Sequence, residues 1–202
     1  MTRNTAAGRK SRGTFRRVEA SIHGPQSPID GESAMQEPPP SLAELVRAAQ
    51  GGDQLAVGRL LDLITPYVRR LCGPIALDDG ADATQEALIM VFRKLRQLRD
   101  TDALFGWVRA IAVREAVRHA TRTARSQPAE LGELPAPGDP QLAADIRDVL
   151  SRLSPEHRAV LLLRDLEGLD ERQTATLLAV APGTVKSRLS RARLSFRKAW
   201  QQ

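Results

Sequence analysis

Cysteine occurs once in the 202 residues, at Cys72, so no intramolecular disulfide framework can hold this chain together. A reducing cytosol is the simplest compartment for it. The three histidines, His23, His119 and His157, lie too far apart in sequence to resemble a zinc site. Aromatic residues make up only 3%, so the core must come from Leu, Val, Ile and Ala, and a β-sandwich, which draws on β-branched and aromatic residues, is disfavoured. No apolar run approaches the roughly 18 residues that argue for a membrane span. The basic start, residues 1–17, has no apolar h-region, and neither secretion nor membrane insertion is expected. There is no GxGxxG, no P-loop and no nucleophile elbow, and no carboxylate is set against a His or Lys in a cleft-forming pattern. These gaps predict no catalytic residue, no cofactor and no metal.

What the chain has is positive charge. Lys and Arg total 30 against 24 for Asp and Glu, a net charge of +6 with a pI near 10.4. That balance points to a polyanionic partner, nucleic acid or an acidic membrane face, and does not choose between them. Ala- and Arg-rich periodic segments favour helices, so the predicted fold is all-α, and the pattern divides it into two small helical domains.

Residues 1–40 carry Gly, Ser, Pro and Arg with almost no apolar periodicity and end in Glu37-Pro38-Pro39-Pro40, which predicts a disordered basic extension. Its cluster Arg9, Lys10, Arg12, Arg16 and Arg17 offers non-specific phosphate contacts or is merely solvated. Ordered structure begins at Ser41, an N-cap with Glu44 three residues on, followed by Leu42, Leu45 and Val46 up to Gly51-Gly52. Asp53 starts a helix that is expected to stop near Pro66. A short helix over 67–71 then breaks at Cys72-Gly73-Pro74. The long amphipathic stretch from Asp82 to Leu98 places Leu88, Val91, Phe92, Leu95 and Leu98 on one stripe, and another helix runs from Leu104 to about Thr121. The first domain is therefore 41–121.

Between 122 and 141 the periodicity vanishes and prolines accumulate, as in a flexible linker. Extended at about 3.3 Å per residue, some 20 residues reach roughly 66 Å, nearly two duplex turns of about 34–36 Å. In the second domain, 142–202, Ser154-Pro155 and Asp170 are helix starts, and the turn Ala179-Val180-Ala181 separates one helix from a last one running from Pro182 to about Trp200. Helix, short turn, helix is the helix-turn-helix arrangement.

On that last helix Val185, Leu189, Ala192 and Phe196 recur at inward-facing spacing, while Thr184, Ser187, Arg188 and Arg191 share another face, flanked by Lys186 and Arg193. A recognition helix presents such side chains to base edges and phosphates near its N-terminal end. Charge alone would fit a solvated basic helix equally well; the cap, turn and helix that precede it favour DNA. In the first domain Trp107 and Ile111 sit among Arg109, Arg114 and Arg118, which suits either a stacking platform for an unstacked base or a core Trp with exposed arginines. Asp82, Gln85 and Glu86 form a polar face opposite Leu88 and Val91.

The order of these motifs resembles a bacterial RNA polymerase sigma factor of the extracytoplasmic function (ECF) class, group IV of the sigma-70 family. Residues 82–87 (DATQEA), 92–95 (FRKL) and 107–112 (WVRAIA) resemble region two; 153–161 (LSPEHRAVL), 167–169 (EGL) and 183–193 (GTVKSRLSRAR) resemble region four. The likeness spans about residues 41–199. It implies that Asp82, Gln85 and Glu86 grip the clamp coiled coil of the largest subunit of core RNA polymerase. It implies that Trp107, Arg109, Arg114 and Arg118 face the minus-ten promoter element, where capture of a flipped base offsets the few kcal/mol of unstacking. Thr184, Lys186, Ser187, Arg188 and Arg191 would read the minus-thirty-five element in the major groove. An anti-sigma partner and a cytoplasmic, nucleoid-associated location are implied as well. Against the usual pattern, Arg114 stands in place of Asn, Gln173-Thr174-Ala175 in place of Glu-Ile-Ala, and Ala179 and Ala181 in place of Gly and Ser. The competing reading is a stand-alone helix-turn-helix regulator that never meets core polymerase.

Overall fold

The computed structural model describes residues 41–124 and 140–201, and the expectations for residues 1–40 and for most of the linker fall outside them. Every regular element among the described residues is helical. In chain order the α-helices are α1 (Leu42–Gly51), α2 (Gln54–Ala76), α3 (Gly80–Lys94), α4 (Leu104–Thr123), α5 (Pro140–Ser151), α6 (Pro155–Leu161), α7 (Glu171–Leu178) and α8 (Pro182–Trp200).

Local chemistry sets most of the boundaries. Ser41 caps α1 through a capping box: Glu44 N–H donates to Ser41 Oγ at 3.3 Å and Ser41 N–H donates to Glu44 Oε2 at 2.8 Å. Gly52, at φ 95°, closes the helix in the left-handed conformation a glycine adopts without strain. Asp53 Oδ1 then accepts from Leu55 and Ala56 N–H to start α2.

The expected breaks at Pro66 and at 72–74 do not occur, and α2 is one helix of 23 residues with both prolines inside it. Leu60, Ile64, Val68, Leu71 and Ile75 keep an unbroken buried stripe along it. Each such burial is worth roughly 1.5–3 kcal/mol, which together outweighs the roughly 3 kcal/mol that each interior proline costs. The prolines sit off that stripe, and the carbonyls they leave unpaired belong to the exposed residues Asp62 and Arg70, where water reaches them. The helix ends only at Leu77, whose φ of 54° turns the chain.

The third helix is shorter than expected, giving way to a 3₁₀ turn at Leu95–Gln97. Its buried stripe is Ala83, Ala87, Val91, Leu95 and Leu98, with Leu88 only partly covered. Phe92, assigned to that stripe, is 54% exposed, because one residue past Val91 it is turned about 100° away from the core. The fourth helix continues through Arg122 and Thr123, two residues expected in the linker.

Helices α1 to α4 share one core, and Ala159, Leu162, Leu163, Leu169 and Leu177 from the second half belong to that same cluster. A smaller core of Val160, Ala175, Val185, Leu189 and Ala192 joins α6, α7 and α8. Between α6 and α7 the chain passes through a π turn, Leu162–Leu166, in which Glu167 N–H donates to Leu162 O at 2.9 Å, and then reverses at Gly168, φ 68°.

Candidate nucleic-acid interface

The last helix is placed by caps upstream of it. Ser154 Oγ accepts from His157 N–H at 3.3 Å with Pro155 at the first helical position of α6, and Asp170 and Gln173 form a capping box on α7. Ala179 then makes the turn at φ 55°, and α8 begins at Pro182 with Ala181 as a cap that has no side-chain acceptor. Val185, Leu189 and Ala192 face inward as predicted, and Phe196 is half-buried against Trp200, with stacked ring centroids 6.1 Å apart.

The other face carries the predicted set. Lys186, Ser187 and Arg191 are exposed, and Thr184 and Arg188 are half-buried. Arg191 Nε donates to Ser187 O at 3.3 Å, and Ser187 Oγ donates to Thr184 O at 3.1 Å, so the face is organised along its own helix. His157 of α6 lies within the field of Arg191 and Arg188; burial first, then these cations, hold its imidazole below the usual range. Arg193, expected beside the phosphates, is instead paired with Asp165, its Nη2 at 2.5 Å and Nε at 3.2 Å.

The α4 set behaves differently. Trp107 is half-buried against the shared core. Arg109 turns to Glu167, with Nη1 3.4 Å from Oε2, and its Nε is buried without a hydrogen-bond partner. Arg114 Nε donates to Leu177 O at 2.7 Å and Nη2 to Thr176 O at 3.2 Å, so its guanidinium closes the carbonyl end of α7. Arg118 pairs with Glu86 at 3.0 Å, and its Nε donates to Glu115 at 2.7 Å. Arg109 and Arg114 thus point into the second half of the chain, and Arg118 points to α3.

On α3, Asp82 and Gln85 are exposed, and Glu86, 32% exposed in its side chain, is held from α4. Arg122 Nη2 donates to its Oε1 at 2.9 Å, and His119 Nδ1 lies 3.4 Å from Oε2. The hydrogen bond from Arg122 first, and the His119 contact after it, keep this carboxyl below its ordinary range. Asp79, Asp82 and His119 gather donor atoms within 4.8 Å of one another. With Arg122 Nη2 also 2.9 Å from His119 Nδ1, the chemistry of this corner is that of an ion-pair network.

Sequence reasoning did not find Glu167 as a partner of α2 and α4, nor Asp78 as the partner of Arg147, because residues 58 to 97 positions apart leave no periodic signal. Exposed Ile89 and Phe92 on α3 were also missed, although a stricter count of the 3.6-residue period would have separated Phe92 from the stripe. Among the described residues no helix is long and apolar enough to cross a membrane.

Residues 143–195 match the family described as Sigma-70, region 4. The chain is 31% identical over 159 residues to the ECF RNA polymerase sigma factor SigM of Mycobacterium tuberculosis, covering 76% of this chain and 81% of that protein. It is 29% identical over 182 residues to the RNA polymerase sigma-H factor of Pseudomonas aeruginosa, covering 78% and 93%. Among solved structures it is similar to the sigma factor RpoE in complex with the anti-sigma factor NepR from Bartonella quintana, with a TM-score of 0.56 and 22% identity over 71% of this chain and 96% of that one. At that identity the structural likeness concerns the fold.

Proposed function

This chain belongs to the ECF RNA polymerase sigma factors, and from that membership we propose how its named residues divide the work of promoter-specific initiation. It is a transcription-initiation factor; the bond-making chemistry is that of the polymerase. Asp82, Gln85 and Glu86 hold the clamp coiled coil of the largest subunit. Trp107, Arg109, Arg114 and Arg118 take the minus-ten element, and Thr184, Lys186, Ser187, Arg188 and Arg191 enter the major groove at the minus-thirty-five element. In this division residues 41–121 and 142–202 act as separate promoter-binding units. The RpoE relative of known structure is held by an anti-sigma factor, and we extend such a partner to this chain.

The observation that carries the reading is the outer face of α8. It sets three cations, Lys186, Arg188 and Arg191, beside two hydroxyls, Thr184 and Ser187, at the start of the second helix of a helix-turn-helix. Arginine matches guanine O6 and N7 in the major groove, and hydroxyls and lysine fix the register on phosphates.

The test is alanine at Asp82, Gln85 and Glu86 together. Loss of co-elution with core polymerase, with duplex affinity unchanged, supports the division. Retained co-elution removes these residues from the polymerase interface. If wild-type chain binds duplex and fails to co-elute with core, the stand-alone regulator is the better account.

A further inference from the structure

We propose that this chain masks its own minus-ten face, with the Glu167 carboxylate occupying the position on α4 that a DNA phosphate would take. The inference rests on the assignment of Arg109 and Arg114 to promoter DNA made above, and adds a regulation of that same site.

Glu167 is an acidic side chain only 6% exposed, which in water-excluding surroundings requires strong partners. It has three, all from the first half. Arg70 Nη2 lies 3.0 Å from Oε1, Arg109 Nη1 lies 3.4 Å from Oε2, and the Tyr67 hydroxyl donates to Oε2 at 3.3 Å. Two guanidinium groups and a hydroxyl converging on two anionic oxygens form a donor set that a phosphodiester also satisfies. An anion of either kind fills it, and both cannot occupy it together.

The backbone is shaped to deliver this carboxylate. The π turn ends at Leu166 and Gly168 reverses the chain at φ 68°, so Glu167 stands at the apex between them. On one side Leu163 and Leu169 are buried in the shared core, and on the other Leu177 is buried while its carbonyl accepts from Arg114. A further ion pair, Arg147 with Asp78, fastens α5 to the turn that follows α2. Two of the arginines assigned to the minus-ten element, Arg109 and Arg114, are therefore engaged by the second half.

The seal is incomplete where release would require it. An open cleft of about 420 Å³ runs between α4 and α7, lined by Arg109, Arg114, Arg172, Gln173 and Thr176 among others. Arg109 Nε is buried with no acceptor, so one donor of this guanidinium remains unsatisfied while Glu167 holds Nη1. With the second half withdrawn, a phosphate bound side-on to Nε and Nη2 would satisfy that donor as well. The free chain is thus set to bind single-stranded DNA weakly, and to expose α4 when the second half is drawn away to the upstream element.

The test uses the full chain without polymerase and a fluorescein-labelled single-stranded oligodeoxynucleotide of mixed sequence, read by anisotropy. Glu167→Gln removes the charge and keeps the shape. About a tenfold gain in affinity is expected, the scale of one charge-assisted contact, and Arg109→Ala in the same background should abolish the gain. If Glu167→Gln does not fold, Glu167→Asp, which withdraws the carboxylate by one methylene, should give a smaller gain in the same direction. A holoenzyme arm separates the failures. No gain in either variant, with Arg109→Ala still impairing promoter opening by holoenzyme, overturns the masking and leaves α4 as a DNA face. Unimpaired opening by Arg109→Ala overturns that DNA assignment and the masking with it.

Discussion

Glu86 of α3 and Arg122 of α4 meet at 2.9 Å, at the end of a helix that runs two residues further than its apolar pattern extends. The same carboxylate also takes Arg118 at 3.0 Å, so the proposed polymerase face and the proposed promoter helix are joined through one acid.

That junction has a pH signature. The Glu86 carboxyl is lowered from an ordinary value of 4.5 in the folded chain. A depressed carboxylate contributes stability that is present above the unfolded value and is lost as pH falls through the folded one. Urea unfolding should therefore show Glu86→Gln less stable than wild type at pH 7, with the gap closing as pH drops below about 4.5. A gap independent of pH would mean that the pairing contributes nothing to folding.

The turn before α8 is under-equipped. Ala179 sits at φ 55°, where a Cβ costs roughly 1–2 kcal/mol, and Ala181 caps α8 with no side-chain acceptor. Ala179→Gly should stabilise the chain, less the entropy that glycine adds to the unfolded state, and Ala181→Ser should add about 0.5–2 kcal/mol. Asp170→Ala, which deletes the capping box of α7, should cost about the same amount. Thermal melts of the three variants check both signs.

Cys72 is wholly buried, its Sγ 3.7 Å from Ala112 O, and burial pushes its thiol up to about 12. Since the thiolate is the reacting species, an aromatic disulfide reagent should leave the native chain untouched and titrate one thiol in denaturant. Rapid modification of folded protein would show that the α2–α4 seam opens readily.

Two positions on α8 should separate by kind of contact. Lys186→Ala should weaken duplex binding evenly across sequences and lower the salt slope by about 1. Arg188→Ala should cost roughly 1–3 kcal/mol on the cognate element and relax specificity at one base pair. Titrations at two salt concentrations on cognate and scrambled duplexes distinguish them, and identical behaviour would remove Arg188 from base readout.

Much of the fold was legible because it is local. Ser41 with Glu44, Ser154 with Pro155, and Asp170 each begin a helix where the residue chemistry predicts one, and the inward stripe Val185, Leu189 and Ala192 follows from a period of 3.6. Pro66 and Pro74 misled because their local cost is overruled by packing that only the tertiary structure supplies. The α8 face was legible for the same local reason. The α4 face was not: which arginine meets Glu167, and which meets the carbonyl of Leu177, depends on how distant segments dock.

The central claim is that this chain directs core polymerase to promoters, and run-off transcription tests it most directly. Purified core bacterial polymerase would be supplied with fragments of the source genome, with and without the chain. Defined start sites that appear only on its addition, sharing two upstream elements, are the predicted result. No new transcript, together with failure to co-elute with core, would contradict the account.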